Sequence, residues 1–236
     1  MLAAAPTPVA PCRWAFEEPA DADEAGLVGF GADLAPATLV AAYRRGVFPW
    51  PHEGMPLPWF SPEPRAVIPV GQVHVSRSLR RRVARCGWTT TVDTAFADVV
   101  VGCASPRADD DGTWVTPEMR DAYQALHALG WAHSVEVWDG DELVGGLYGV
   151  QVGGCFTGES MFHLADDASK VALVDLDARF ADAGGTLIDC QLPTDHLASL
   201  GAVAIDRRAF LDALAAVRDD DVRLSIDRLP IARIVS

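Results

Sequence analysis

His133-Ser-Val-Glu-Val-Trp-Asp-Gly-Asp-Glu-Leu-Val-Gly-Gly-Leu-Tyr-Gly-Val-Gln-Val152 is the stretch that decides the fold class. From His133 to Trp138 the residues alternate, with Ser134, Glu136 and Trp138 on one side and Val135 and Val137 on the other, as in a half-buried strand. Asp139-Gly140 then supplies a hairpin dipeptide suited to a tight turn. A second strand runs from Leu143 to Val152. Its glycines, Gly145, Gly146 and Gly149, weaken it as an ordinary strand and point to a bulge or to close approach of another backbone.

Working outward, Thr116 caps and Pro117 opens a helix whose apolar positions Met119, Tyr123, Leu126 and Leu129 recur at helical spacing before Gly130. On the other side, Cys155 to Phe162 reads as a third strand. Ser169 is the expected cap of a helix running to about Ala183, and Gly184-Gly185 leads into the short run Thr186 to Gln191, ended by Pro193. Asp206 is expected to cap a last helix, Arg207 to Arg218. Strands alternating with amphipathic helices predict an α+β fold, a mixed sheet flanked by helices. Residues 12–65 differ in kind, being rich in Pro, Gly and Trp, with one short helix expected from Pro36 to Arg45 and stopped at Gly46. The boundary falls near Pro64, giving a small N-terminal α+β domain over 1–64 and a larger domain over 65–236. Asp109 to Asp111 with Gly112 marks an exposed loop.

The chain has 236 residues, 50% of them hydrophobic and 22% charged, enough for a sizeable core. No run approaches the roughly 18 to 20 apolar residues of a membrane span. The N-terminus lacks the basic region of a secretory signal, and the five cysteines form no C-x-x-C pair, so free thiols in a reducing cytoplasm are expected. The six histidines show no ligand spacing and predict no metal site, and nothing in the sequence calls for more than a monomer.

Net charge is −14, yet between Glu63 and Asp93 there is no acidic residue, while Arg65, Arg77, Arg80, Arg81, Arg82 and Arg85 fall in that gap. Ser76 is a plausible N-cap and Gly87 a stop for a helix there, with Arg77, Arg81 and Arg85 in one stripe and Leu79, Val83 and Cys86 opposite. A solvated face is the ordinary reading of such a run. A phosphate-backbone contact is the sharper one, since planar guanidinium groups concentrate positive charge in an acidic protein.

Dinucleotide, P-loop, zincin and nucleophile-elbow motifs are all absent. A Cys155 or Cys190 nucleophile is disfavoured, because both lie in apolar runs where a thiol is inert. Glu159 and Asp189 each interrupt an apolar strand run, where an inward carboxylate is costly unless bonded or used, and Gln191 stands two residues from Asp189 on the same face. Alternation pointing all three at solvent is the competing reading.

These residues lie in motifs that resemble one family. Gly26-Leu-Val-Gly-Phe-Gly-Ala-Asp-Leu34, Ala41-Ala-Tyr-Arg-Arg-Gly-Val-Phe-Pro-Trp50, Trp59-Phe-Ser-Pro-Glu-Pro-Arg65, Gly112-Thr-Trp-Val-Thr-Pro-Glu-Met119, Gly158-Glu-Ser-Met-Phe162, Leu187-Ile-Asp-Cys-Gln191 and His196-Leu-Ala-Ser-Leu-Gly-Ala202 stand in the order seen in the bacterial leucyl/phenylalanyl-tRNA-protein transferases. The resemblance implies transfer of leucine, phenylalanine or methionine from aminoacyl-tRNA to the N-terminal Arg or Lys of a protein, marking it for degradation. It also implies a C-terminal domain of acetyltransferase-like (GNAT) topology. By the same resemblance Asp189, Gln191 and Glu159 are the central residues, and Trp50, Trp114, Leu147, Phe156, Ser160, Leu173, Leu176, Ile188 and Thr194 bind the aminoacyl group and 3′ end. Arg77, Arg80, Arg81 and Arg85 fall in the tRNA-contacting region. Phe60 where two tryptophans are commoner, Leu176, and Thr194 in place of an Asn are departures that bear on which amino acid is preferred.

The chemistry is consistent with that. An aminoacyl ester is already activated, so attack by an amine needs no ATP, metal or cofactor, and positioning is most of the task. Asp189 is expected to act as base, directly or through Gln191, with Gln191 and Glu159 orienting the amines. Backbone N–H groups of Gly145 to Gly149 or near Gly158 are candidate oxyanion donors. Glu159, Asp166, Asp167, Asp189 and Asp195 together would make a field suited to a cationic acceptor. A small-molecule acetyltransferase is a poorer match, since Leu164-Ala-Asp-Asp-Ala168 would repel a pyrophosphate at the next helix. A non-catalytic RNA-binding module would leave Glu159 and Asp189 without a use.

Overall fold

The computed structural model describes residues 1–52, 54–105 and 116–234. In chain order its elements are β1 (Leu27–Phe30), α1 (Pro36–Tyr43), β2 (Phe48–Pro49), β3 (Pro58–Phe60), β4 (Arg65–Pro69), α2 (Arg77–Val83), β5 (Thr89–Val92), α3 (Phe96–Ala104), α4 (Pro117–Ala128), β6 (Ala132–Asp139), β7 (Glu142–Val152), β8 (Cys155–His163), α5 (Ala168–Asp182), β9 (Leu187–Gln191), α6 (Asp195–Ser199), β10 (Val203–Ile205), α7 (Arg207–Val217) and β11 (Leu229–Pro230). The fold is mixed α+β. β1, β3 and β2 make a small antiparallel sheet, built wholly before Pro64. The larger sheet has the order β10-β4-β9-β8-β7-β6-β5-β11, antiparallel throughout except between β8 and β9.

The hairpin forms as its sequence demands. Gly140 takes a φ of 60° at the turn, and β6 pairs with β7 from Ala132↔Val150 to Asp139↔Glu142. The β7 glycines serve both expected purposes. The β7 to β8 register shifts between Tyr148 and Gly149, and a Cβ on Gly149 would lie 2.2 Å from the Thr157 carbonyl oxygen. A Cβ on Gly145 would meet that of Ala168 at 2.6 Å, so the start of α5 rests directly on the strand.

Two packed layers cover the sheet. Val135, Val137, Leu147 and Phe156 join α5 residues Val171, Leu176 and Phe180 in one core cluster, while Tyr148, Val150 and Val152 join α1, α3 and α4 in the other. With both faces covered, β6 is buried on both sides rather than half-solvated. Ser134 and Glu136 are fully buried, and Glu136 accepts from Thr91 Oγ1, Ser134 Oγ and the Thr94 N–H.

The helix boundaries differ from the sequence reading in several places, α7 ending at Val217 rather than Arg218 among them. The helix expected to be capped by Ser169 starts two residues earlier, after Asp167, which takes a φ of 68° and pairs with Arg82 and Lys170; Ser169 is buried in its first turn. α1 stops at Tyr43 rather than Arg45. α2 is short, ending at Val83, so Arg85 lies beyond it; Ser76 caps it by accepting from the Leu79 N–H, and Gly87 stops the segment at a φ of 67°. Asp206 precedes α7 as expected, but its side chain caps nothing. The free N–H of Arg207 is taken by Glu63 Oε2 at 3.0 Å. Among the described residues no helix is long and apolar enough to cross a membrane.

Candidate functional site

β8 and β9 pair in parallel only from Cys155↔Leu187 to Thr157↔Asp189. Beyond that rung the strands no longer pair, and the residues that follow on each, Gly158 to Met161 and Cys190 to Leu192, line two adjoining cavities. One, of about 290 Å³, is walled by Leu147, Leu173, Leu176 and Ile188, with Ser160, Thr194 and His196 at its edge. The other, of about 210 Å³, lies against Phe48, Pro49 and Trp50. Glu159, Cys190, Gln191, Thr194 and Leu197 border both. A parallel pair that parts after three rungs thus makes two chambers with a shared wall.

Asp189 sits at the last rung, fully buried, and its two oxygens accept four hydrogen bonds. Arg65 Nε and Nη2 donate at 2.7 and 2.6 Å, Thr157 Oγ1 at 3.2 Å and the Gln191 N–H at 3.0 Å. That fills the acceptor capacity of a carboxylate. Arg65 is itself buried between rings, its guanidinium carbon 4.3 Å from the Phe210 centroid and 5.0 Å from that of Phe48, and it also donates to the Gly46 carbonyl at 3.2 Å. Such a bidentate, stacked guanidinium holds a buried charge that would otherwise be costly. Next along β9, Gln191 adopts a φ of 58°, and its Nε2 donates to the Gly158 carbonyl at 2.9 Å. The left-handed turn is favoured by the Asp189 bond to its N–H, and the residue borders both cavities.

Glu159 is held differently. Tyr43 from α1 donates to Oε1 at 2.7 Å, Tyr123 from α4 donates to Oε2 at 2.7 Å, and the two hydroxyls lie 2.8 Å apart. Burial raises the Glu159 pKa to about 7, against the two tyrosine bonds that pull it down. Both tyrosine hydroxyls are pushed well above their ordinary value, first by burial and then by the Glu159 charge. The thiol of Cys190 is raised by burial to about 12, and that of Cys155 higher still, so neither supplies a thiolate.

Of the residues expected around the aminoacyl group, Leu147, Ser160, Leu173, Leu176, Ile188 and Thr194 line the larger cavity and Trp50 the smaller. Phe156 lines neither; it is fully buried against Phe180. Trp114 and the Asp109 to Asp111 loop lie outside the described residues. Gly145 to Gly149 lie within β7 between two paired strands, which leaves Gly158, at the cavity wall, as the better-placed oxyanion candidate. The expected acidic field is corrected as well. Asp189 is neutralised by Arg65, and Asp166 and Asp167 are paired with Arg82, Asp167 also with Lys170. Arg77, Arg80, Arg81 and Arg85 are exposed on and just after α2. Sequence reasoning missed Arg65, Tyr43 and Tyr123 as site residues.

A family model described as leucyl/phenylalanyl-tRNA protein transferase matches residues 67–215, and one described as the N-terminal domain of that protein matches 32–63. The leucyl/phenylalanyl-tRNA–protein transferase of Stutzerimonas stutzeri (strain A1501) is 56% identical over 190 residues, covering 80% of this chain and 84% of that one. The proteins of the same name from Chromohalobacter salexigens (55% over 189 residues, covering 80% and 74%) and Myxococcus xanthus (51% over 209, covering 88% and 89%) are similar to it as well. Among solved structures, the L-PGS of Bacillus licheniformis aligns with a TM-score of 0.41 at 14% identity, over 57% of this chain and 48% of that one, a likeness too slight to build on.

Proposed function

The chain belongs to the leucyl/phenylalanyl-tRNA protein transferase family and is an aminoacyltransferase, and we propose that it moves leucine, and also phenylalanine and methionine, from aminoacyl-tRNA to the N-terminal Arg or Lys of a protein in the cytoplasm, marking that protein for degradation. The observation that carries this reading is the pair of cavities meeting at Glu159 and Gln191. A reaction between two bulky substrates needs two approaches to one small set of polar groups. The larger, leucine-lined chamber suits the donor side chain. The smaller one, beside Trp50, suits the acceptor's first residue.

In this reading the residues divide the labour. Gln191 presents its amide oxygen to an amine, while its Nε2 is occupied by Gly158. Asp189 positions Gln191 through the backbone rather than touching substrate, since its own lone pairs are filled. That favours the indirect form of the base role. The acidic residue left with capacity near a substrate amine is Glu159. Arg77, Arg80, Arg81 and Arg85 hold the tRNA through phosphates. We read the unit from Arg65 onward as acetyltransferase-like, on the strength of its order β5, two helices, an antiparallel β6-β7-β8, then α5 and a parallel β9. The division at Pro64 belongs to the same reading.

The direct experiment incubates the protein with leucyl-tRNA and a short peptide beginning with Arg, then weighs the peptide. One added leucine, lost on ribonuclease treatment and reduced in Gln191→Asn, is expected. No gain with leucyl-, phenylalanyl- or methionyl-tRNA, or a gain of acetyl from acetyl-CoA, would overturn it. For the tRNA face, Arg77→Ala with Arg81→Ala should flatten the salt dependence of aminoacyl-tRNA binding by roughly 0.9 unit of slope for each phosphate no longer neutralised; an unchanged slope removes α2 from the interface.

A further inference from the structure

Four oxygens meet behind the shared wall, two from Glu159 and one each from Tyr43 and Tyr123, joined at separations of 2.7, 2.7 and 2.8 Å. Each hydroxyl carries a single hydrogen. With Glu159 ionised, two hydrogens must serve three close pairs, and one pair of oxygens faces the other with nothing between. With Glu159 protonated, three hydrogens serve all three. The acid donates to one tyrosine, that tyrosine to the other, and the second back to the carboxyl, so every member is satisfied. Around this ring stand Tyr148 from β7, Arg65 from β4 and Asp189 from β9. Arg65 and Asp189 neutralise each other through their bidentate pair, so neither fixes the charge of Glu159. Burial accordingly holds its acid near neutrality, at about 7.

We propose that Tyr43, Tyr123 and Glu159 form one proton-holding unit of the transferase, closed at rest by the acid's own proton and opened when a substrate amine takes that proton and returns an N–H to the carboxylate as an ammonium ion. The step is balanced. One O–H bond breaks and one N–H bond forms, and when the substrate arrives already as ammonium the acid's proton leaves to water. The two tyrosines are positioning residues. In the open state one donates to the other and the second to Glu159, which frees a carboxylate oxygen for the incoming ammonium. This rests on the reading of the chain as an aminoacyltransferase, and it makes protons competitors of the substrate.

The test is the pH profile of kcat/KM for leucine transfer to the Arg-headed peptide, from about pH 5.5 to about pH 9, in the wild type, Tyr43→Phe, Tyr123→Phe and Glu159→Gln. The peptide amine titrates identically in all four, so differences between profiles report the protein. Loss of either hydroxyl opens the ring and changes which protonation state of Glu159 is satisfied, so the acid limb should move, by about one pH unit. Glu159→Gln, whose amide can close the ring but cannot ionise, should lose the protein's share of that limb. Unmoved limbs in folded Tyr→Phe variants, or a wild-type limb in Glu159→Gln, would overturn the proposal. Should the Tyr→Phe variants fail to fold, Glu159→Gln decides alone. If the wild type transfers no amino acid at all, it is the functional reading that falls. The unit then stands or falls on the infrared band of a protonated carboxyl at about pH 6, which should be weaker in Glu159→Gln than in the wild type by the share of one acid, the remainder belonging to Glu136; an undiminished band would overturn it.

Discussion

Asp189 and Glu159 lie on neighbouring strands, the first fully buried and the second half-buried at the cavity wall, and the protein treats them in opposite ways. Asp189 is met by a guanidinium with both forks, a threonine hydroxyl and a backbone N–H. Glu159 is met by two tyrosine hydroxyls. A cation settles a carboxylate's charge, so Asp189 is a fixed part of the frame. A hydroxyl can donate to a carboxylate or accept from its acid, so Glu159 keeps its freedom to titrate. The difference teaches which buried acid can take part in proton chemistry: the one whose partners leave its charge undecided. Glu136, fully buried among Thr91, Ser134 and the Thr94 N–H and likewise raised to about 7 by burial, shows that the second arrangement also occurs away from the cavities.

The contrast breaks hardest at Arg65. Arg65→Met leaves Asp189 buried without its cation and should cost about 3–5 kcal/mol in denaturant unfolding, while the double change Arg65→Met with Asp189→Leu should recover much of that loss. A small cost for the single change would mean that the pair is not what holds Asp189. The same acid-to-amide exchange sharpens the comparison. Asp189→Asn should destabilise by about 2 kcal/mol, because it sets an amide NH2 against a guanidinium.

Glu159→Gln should do the reverse above neutrality. Its folded pKa of about 7 exceeds the usual carboxylate value of 4.5, so the folded state binds more protons in that window and stability contributed by this group falls as pH rises through it. Removing the titration should therefore stabilise by on the order of 1 kcal/mol at about pH 8 and by nothing at about pH 4. Equal effects of Asn and Gln at the two sites would erase the distinction. The smallest effect is expected at the rim, where Arg82 is 40% exposed beside Asp167. Arg82→Ala should change stability by less than about 1 kcal/mol and should matter less at high salt.

Much of the frame could be read from local pattern. The Asp139-Gly140 hairpin, the Thr116 cap and the Gly87 stop each follow from the conformations those few residues allow. Glu159 and Asp189 were conspicuous because a carboxylate in an apolar run must be accounted for. Their partners were not. Arg65 reads as one arginine among six in a basic segment, although it heads the apolar run Ala66-Val-Ile68, a position that should itself have raised the question of a buried cation. Tyr123 falls at a helical apolar spacing and so counts as core. Its ring does pack there, against Tyr148, while its hydroxyl reaches an acid far off in sequence. Such pairings arise from tertiary approach, which no local period encodes.

Arg65 also sets a schedule. It joins the Gly46 carbonyl and the Phe48 ring, made early, to Asp189 and the Phe210 ring, made late. As the chain leaves the ribosome, the first two-thirds can close the small sheet and the β6-β7 hairpin, but the clamp on the last rung waits for the segment around residue 210. Loop closure over so long a stretch is slow relative to local pairing. Activity should therefore appear only once nearly the whole described chain has been synthesised, and a nascent chain cut short before Phe210 should carry two cavities' worth of residues without a working site.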